Sequence, residues 1–326
     1  MSGCVCVTGA NGSIGAALVR RFVALGIPVR ALVRSPDRRT ALKGLDIEFA
    51  YGDLARPETL RGALDGCATV YHTAAKLTGA DLQAYAAINV GGTEALVAEA
   101  RRAGAERFVH VSSIAIYGYP DARDVAEDYP WERTTDPYAA TKQGAERAVW
   151  AASKQLPVAV ARPGDVVGPG QGVWTVMLTQ QARRRLLQPV RGAGVLNPVY
   201  IDNLLDGLLL VGEHPGAVGQ AFNLVDGVPL PMNDYIRYLV RLTHRRPVTL
   251  PRAVVTRIAW LMEATARRCG AAPPVTRASV DFLFHRTTFS NARAQTVLGW
   301  RPRVSWDDGM RRTEAWLQAQ GLIPAS

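Results

Sequence analysis

The sequence predicts an α/β protein: a doubly wound parallel sheet with a smaller C-terminal α/β domain formed by insertions. Short apolar runs alternate with longer amphipathic segments through the first half, a glycine triplet follows the first run, and the rhythm breaks after Arg162. Strand and helix in alternation require parallel pairing with helices covering both faces. The apolar runs at 5–7, 29–33, 47–50, 69–72, 108–111 and 158–161 read as strands, and the patterns at 14–25, 82–103 and 139–154 read as helices. Residues 222–224 read as one more strand returning to the sheet. Beyond Arg162 come Gly/Pro-rich stretches and separate helices, which suit insertions rather than a second sheet of the same kind. The division expected is 1–164 with 199–225 returning to it, against 165–198 and 226–326.

A chain of 326 residues, 48% hydrophobic, can bury a large core, so a disordered chain is not expected. The net charge of +10 comes from scattered arginine pairs such as Arg20-Arg21, Arg38-Arg39 and Arg101-Arg102, and no nucleic-acid-reading motif accompanies it. No nucleic-acid partner is expected. Cys4, Cys6, Cys67 and Cys269 form no CxxC pair and have no histidines at ligand spacing, so no metal is expected. Cys4 and Cys6 share a strand face and are expected to be buried hydrophobes. With no basic leader and no bilayer-length apolar stretch, the expected location is cytoplasmic.

Directly after the first strand stands Thr8-Gly9-Ala10-Asn11-Gly12-Ser13-Ile14-Gly15. Glycines there let the chain turn sharply, admit a pyrophosphate to the backbone N–H groups, and pack helix against strand. In this position the triplet reads as a Rossmann dinucleotide loop. The second strand ends at Val33-Arg34-Ser35, where a carboxylate for the adenosine ribose would suit NAD. A guanidinium there favours NADP by gripping a 2′-phosphate, unless Arg34 is simply solvated. Asp53 either accepts from the adenine amino group or caps the segment after it.

Tyr138 and Lys142 are four residues apart, on one face of a helix. A cation beside a phenol favours the phenolate, which makes the pair a candidate acid/base. Lysine occurs only at 43, 76, 142 and 154, so this YxxxK spacing is not a product of abundance. Ser113, at the carboxyl end of the fifth strand, faces the ligand crevice and either donates to a substrate oxygen or caps the strand end, while Ser112 points elsewhere.

These residues together resemble the extended short-chain dehydrogenases/reductases. The resemblance covers nearly the whole chain: the TGxxGxxG loop, Gly52-Asp53-Leu54, His72-Thr73-Ala74-Ala75, Asn89 to Thr93, Val111-Ser112-Ser113, YxxxK, Arg162-Pro163-Gly164, Val199 to Asn203, and Leu298-Gly299-Trp300. It implies that Tyr138 is the general acid/base, that Lys142 also holds the nicotinamide ribose, and that Ser113 polarises the substrate carbonyl. It also implies that Asp53 and Leu54, Thr73 to Ala75, Asn89 and Pro163 lie at the cofactor. Pairing through helices 82–103 and 139–154 into a homodimer is expected only because relatives pair that way.

Departures from the family pattern narrow the branch. Dehydratases of the family carry Asp-Glu where this chain has Ile114-Ala115, and epimerases carry diphosphate-binding groups where it has Asp165 and Leu196. A carboxylate facing a diphosphate would repel it. The segments 31–35 and 200–203 resemble the 3β-hydroxysteroid dehydrogenase and dihydroflavonol reductase branch, which implies ketone/alcohol chemistry on a lipophilic molecule. An epimerase of sugar-like substrates and a non-catalytic NADP-binding regulator are the other readings; retention of the Tyr-Lys pair argues against the latter. In 253–268 an apolar stripe of Val254, Val255, Ile258, Leu261 and Met262 is flanked by arginines; such a helix packs on its own domain, lines an apolar pocket, or rests on an anionic membrane. Arg183-Arg184-Arg185 is either a solvated face or a contact for an acidic substituent. Substrate choice is expected to lie in 76–85, 117–136, 165–198 and 226–286.

Overall fold

A computed structural model describes residues 3–77, 82–134, 136–269 and 277–325. Parts of the expected substrate-choosing segments, at 78–81, 135 and 270–276, lie outside the described residues, as does the Arg267 side chain.

The central sheet comprises β1 (Cys4–Thr8), β2 (Val29–Val33), β3 (Glu48–Tyr51), β4 (Cys67–His72), β5 (Arg107–Val111), β6 (Val158–Pro163) and, after two short strands β7 (Asp165–Val167) and β8 (Val195–Leu196) and then β9 (Pro198–Tyr200), the returning β10 (Ala221–Leu224). Its seven strands run in the order β10-β6-β5-β4-β1-β2-β3, with every pairing parallel. The predicted doubly wound sheet is the observed one, including the strand that returns at 222–224. Central strands are apolar on both faces because both are covered: β6 is buried throughout, whereas Glu48 and Tyr51 at the two ends of edge strand β3 are exposed.

The first crossover is α1 (Ser13–Ala24), whose buried Leu18, Val19 and Phe22 meet the sheet. It stops where Gly26 takes a left-handed φ of 70°. A helix expected to run unbroken over 82–103 is instead α2 (Leu82–Ala86), a π-helical turn over Ala87–Gly91, and α3 (Gly92–Arg102). Its cause is local. The buried Asn89 amide accepts from the Lys76 backbone N–H at 2.7 Å and donates to the Lys76 carbonyl at 3.1 Å, holding the widened turn against the neighbouring loop. Then comes α4 (Pro137–Ala151), begun by Pro137 at its first position and by Asp136, whose side chain accepts from the Tyr138 N–H.

The remaining elements are α5 (Leu178–Arg183), α6 (Ile201–Glu213), which packs against β5, β6 and β10 beside α1, β11 (Leu230–Pro231), α7 (Met232–Leu242), α8 (Arg252–Arg268), α9 (Arg277–Phe282), α10 (Ala292–Leu298), which packs against β10, and α11 (Trp306–Ala319). β7 pairs with β9 and β8 with β11 in two short sheets. Arg21 of α1 binds Asp206 and Asp202 of α6 at 2.5 and 3.3 Å, joining two helices of the same face. Among the described residues no helix is long and apolar enough to cross a membrane.

The cysteines differ from expectation. Cys6 is buried but Cys4 is half-buried, and Cys67 on adjacent β4 brings its sulfur to 3.7 Å from that of Cys4. Cross-strand register, invisible from spacing within one strand, makes the contact. Helix α8 also differs. It packs through Ala259 and Ala266 and leaves Val254, Ile258 and Leu261 exposed.

Candidate active site

In the strand order, β1 and β4 are neighbours from which the chain leaves in opposite directions, and in such sheets ligands bind beyond the carboxyl ends at that switch. The glycine loop, Arg34, Asp53, residues 73–75, Ser113 and Pro163 all lie at or just beyond carboxyl ends of strands. At Gly9, φ is 65° and a side chain would meet the Ala74 backbone at 2.7 Å; at Gly15 it would strike the Gly9 carbonyl. Both positions need glycine so that loop, β4 and α1 can approach closely. Helix α1 starts at Gly12 with neither a side-chain cap nor an acid in its first turn, so its N–H groups are open to an anion. This cradle, flanked by exposed Asn11 and half-buried Ser13 and Ile14, fits a dinucleotide pyrophosphate.

Around it, Thr73 donates to the Thr8 carbonyl at 2.7 Å, while Ala74 and Ala75 stay half-buried along the loop. Arg34 is exposed at the end of β2; Arg38 turns to Asp37 and Arg39 stacks over Phe49 and Tyr51 at 4.9 and 5.3 Å. Asp53 accepts from the Ala55 N–H at 3.0 Å, capping the turn after it, and lies 3.9 Å from Arg56. Leu54 is buried where a side chain on Gly92 would collide with it, and Pro163 is buried at the end of β6. Asn89, besides holding Lys76, donates to the Thr141 hydroxyl at 3.0 Å, linking the π-turn to α4.

Tyr138 is half-buried beside Ser113, whose oxygen accepts from the Ala115 N–H at 3.1 Å. Thus Ser113 caps the turn after β5. Burial pushes the Tyr138 phenol up to about 12, against the lowering effect of the Ser113 hydroxyl. This corrects the expectation of a phenol lowered by Lys142. The reason is geometric: Lys142 is buried and donates to the Val111 carbonyl at 2.6 Å. Desolvation brings its ammonium down to about 8, and the Glu146 carboxylate one turn on opposes that fall. Ser112 is buried with an unbonded hydroxyl.

Sequence reasoning missed the groups that fix these two. Glu146, wholly buried, pairs with Arg162 of β6 at 2.5 Å, and Arg162 also donates to the Tyr117 hydroxyl at 2.6 Å and the Glu127 carbonyl at 2.8 Å. Gln143 donates to the carbonyls of Ile116 and Glu132 at 2.7 and 2.9 Å. The available signal was Glu146 four residues after Lys142 on the same face, since a carboxylate there needs a buried cation. Next to Lys142, burial holds the His72 imidazole neutral, at about 3, bonded to Thr8 and Thr93 at 2.8 and 2.9 Å.

Tyr119, within electrostatic reach of Tyr138, belongs to an aromatic wall drawn from three distant segments. Tyr119 packs edge-on against Phe282 at 4.9 Å and beside His285 at 4.6 Å, and Trp174 lies 5.6 Å from Phe282. The Tyr119 backbone takes a left-handed φ of 57°, a strained conformation for a residue with a side chain. Its phenol is also within electrostatic reach of Asp165. Asp165 is buried, accepts from the Asn197 N–H at 2.8 Å, and is pushed up to about 7 by desolvation; Leu196 is also buried. Ile114 and Ala115 are buried among apolar groups and offer no acid or base. Among the described residues no group of acids, cysteines and histidines has the arrangement of a metal site.

A family profile described as the NAD dependent epimerase/dehydratase family matches residues 5–224. The chain is 31% identical to a 4-hydroxy-2-methyl-3-oxo-4-farnesyl-3,4-dihydroquinoline-1-oxide ketoreductase of Stigmatella aurantiaca, over 98% of each chain. It is 30% identical to a 3 beta-hydroxysteroid dehydrogenase/Delta 5-->4-isomerase of Mycobacterium tuberculosis, over 92% of this chain and 86% of that one. Among solved structures, MoeE5 in complex with UDP-glucose and NAD superposes with a TM-score of 0.75 at 26% identity, covering 98% of this chain and 99% of that one.

Proposed function

Because the chain belongs to the NAD-dependent epimerase/dehydratase family, we propose that it interconverts a ketone and a secondary alcohol on a lipophilic substrate, with NADP as cofactor. When bound, the nicotinamide supplies the hydride for reduction and accepts it in oxidation. Tyr138, with a phenol at about 12, is neutral at pH 7 and gives its proton to the oxygen of the reduced carbonyl. The Ser113 hydroxyl donates to that same oxygen, stabilising the charge that develops on it. Lys142 holds the cofactor ribose. Arg34, exposed at the end of β2, grips the 2′-phosphate. Residues 1–164 with 199–225 carry the cofactor, while 165–198 and 226–326 carry the substrate.

The observation that carries this reading is Tyr138 standing beside Ser113 and an aromatic wall, in a site where Ile114 and Ala115 replace an acid/base pair. Two relatives add support: one is named a ketoreductase on a farnesylated quinoline and the other a hydroxysteroid dehydrogenase. The test is loss of NADPH absorbance with a panel of lipophilic ketones, with sugar nucleotides as controls. Net, ketone-dependent oxidation is expected. Conversion of a sugar nucleotide with no net change in nicotinamide absorbance would replace this reading with epimerisation. The protein is further proposed to be a cytoplasmic homodimer paired through α2–α3 and α4; a monomer by sedimentation at working concentration would remove the pairing.

A further inference from the structure

Helix α8 is packed inside out. Its inward contacts are the small residues Ala259 and Ala266, with Val255 and Met262 half-buried, while Val254, Ile258, Trp260 and Leu261 are 42, 40, 52 and 54% exposed. Positions 254, 258 and 261 fall on one stripe of a helix, and Trp260 borders it. Leaving four large apolar side chains in water is unfavourable unless something covers them.

Charge identifies the cover. The helix carries Arg252, Arg257, Arg267 and Arg268 against one acid, Glu263. Exposed Arg257 and Arg268 lie along the same open arc as the apolar stripe. The chain just before the helix adds exposed Val248, and its Leu250 pairs with Val190, four residues after exposed Leu186 and the Arg183-Arg184-Arg185 run. An apolar ridge with a tryptophan at its border and arginines on its flanks matches an anionic bilayer surface: the ridge enters the acyl boundary and the guanidinium groups meet the headgroups.

We propose that α8 is a membrane-interfacial helix that docks the protein on anionic lipid. It also stands beside the aromatic wall. Arg252 binds Asp281 of α9 at 3.4 Å and stacks over Phe284 at 4.1 Å, and α9 ends in Phe282, which packs on Tyr119 and Trp174. Through Arg252 and α9 the start of the docked helix thus touches the aromatic wall that a lipophilic ketone coming from the bilayer would meet; this route alone rests on the substrate class proposed above.

The docking is tested without any substrate, by flotation of the full chain with vesicles of phosphatidylcholine containing phosphatidylglycerol and with phosphatidylcholine alone. The chain is expected to float with the anionic vesicles, less so as salt rises, and the Trp260 emission, obtained by difference from Trp260→Phe, is expected to shift to the blue. Leu261→Glu is expected to weaken partition by at least about tenfold while NADPH binding stays unchanged, the latter showing that the exposed substitution leaves the fold intact. Wild-type chain that stays unbound with anionic vesicles, or Leu261→Glu that floats equally well, would overturn the proposal. So would a dimer that Leu261→Glu converts to monomer, since a second copy would then be the cover. Flotation without ketone reduction would reject the substrate class and leave the docking standing.

Discussion

Glu146→Gln removes one charge from a buried pair and leaves its partner behind. The side chains of Arg162 and Glu146 are 4 and 0% exposed and meet at 2.5 Å, with the Trp150 indole N–H donating to the same carboxylate oxygen at 3.1 Å. An uncompensated buried guanidinium costs about 3–5 kcal/mol. With an unfolding entropy of roughly 2.1 cal/mol/K per residue over 326 residues, that loss lowers Tm by about 4–7 °C. A second effect falls on Lys142, whose ammonium stands at about 8 because burial lowers it and Glu146 partly restores it. Without that carboxylate its pKa drops further. In the proposed mechanism reduction needs the charged Lys142, so kcat/KM is expected to fall as pH rises through its pKa, and this alkaline limb is expected to move to lower pH in the variant. Thermal melts and a pH series of NADPH oxidation with an active ketone read the two effects separately. A double variant, Glu146→Leu with Arg162→Leu, is expected to be more stable than Glu146→Gln, because no lone charge remains, but to stay below the wild type, because the Glu127 carbonyl and the Trp150 indole lose their partners. An unshifted alkaline limb together with a Tm change under about 1 °C, the size of an exposed pair, would refute the reasoning.

Arg34→Ala is expected to weaken NADPH binding far more than NADH binding, by calorimetric titration of each; equal losses would reject the 2′-phosphate assignment. Asp165→Asn is expected to raise Tm at pH 8, by differential scanning fluorimetry. The folded pKa of about 7 exceeds the unfolded value of 3.8, so ionisation of Asp165 opposes folding above that range, and the advantage of Asn shrinks as pH falls from 7 towards 4. A pH-independent difference would show that Asp165 does not titrate in the fold.

What was legible in the sequence was whatever local pattern alone decides. The sheet was, because a strand covered on both faces leaves a continuous apolar run, and the carboxyl-edge residues followed from parallel connectivity. Less legible was anything set by contact between distant segments. Asn89 breaks a helix whose periodicity continues through it, because its amide finds the Lys76 backbone. Spacing put Lys142 on the face of Tyr138 but could not show its ammonium drawn to the Val111 carbonyl, which leaves the phenol raised rather than lowered. Tyr119, Trp174, Phe282 and His285 are unremarkable one by one; folding makes them a wall. The apolar stripe of 253–268 was visible, but which face it shows to the protein depends on Ala259 and Ala266, the residues such a pattern discounts.

Tyr138→Phe tests the proton-transfer claim most directly. Removing one oxygen keeps the ring and the fold, so NADPH binding is expected to stay near the wild-type value while ketone reduction falls by about 100- to 10,000-fold, the range of a lost general acid. Near-normal turnover in this variant would contradict the assignment of Tyr138 as the proton donor.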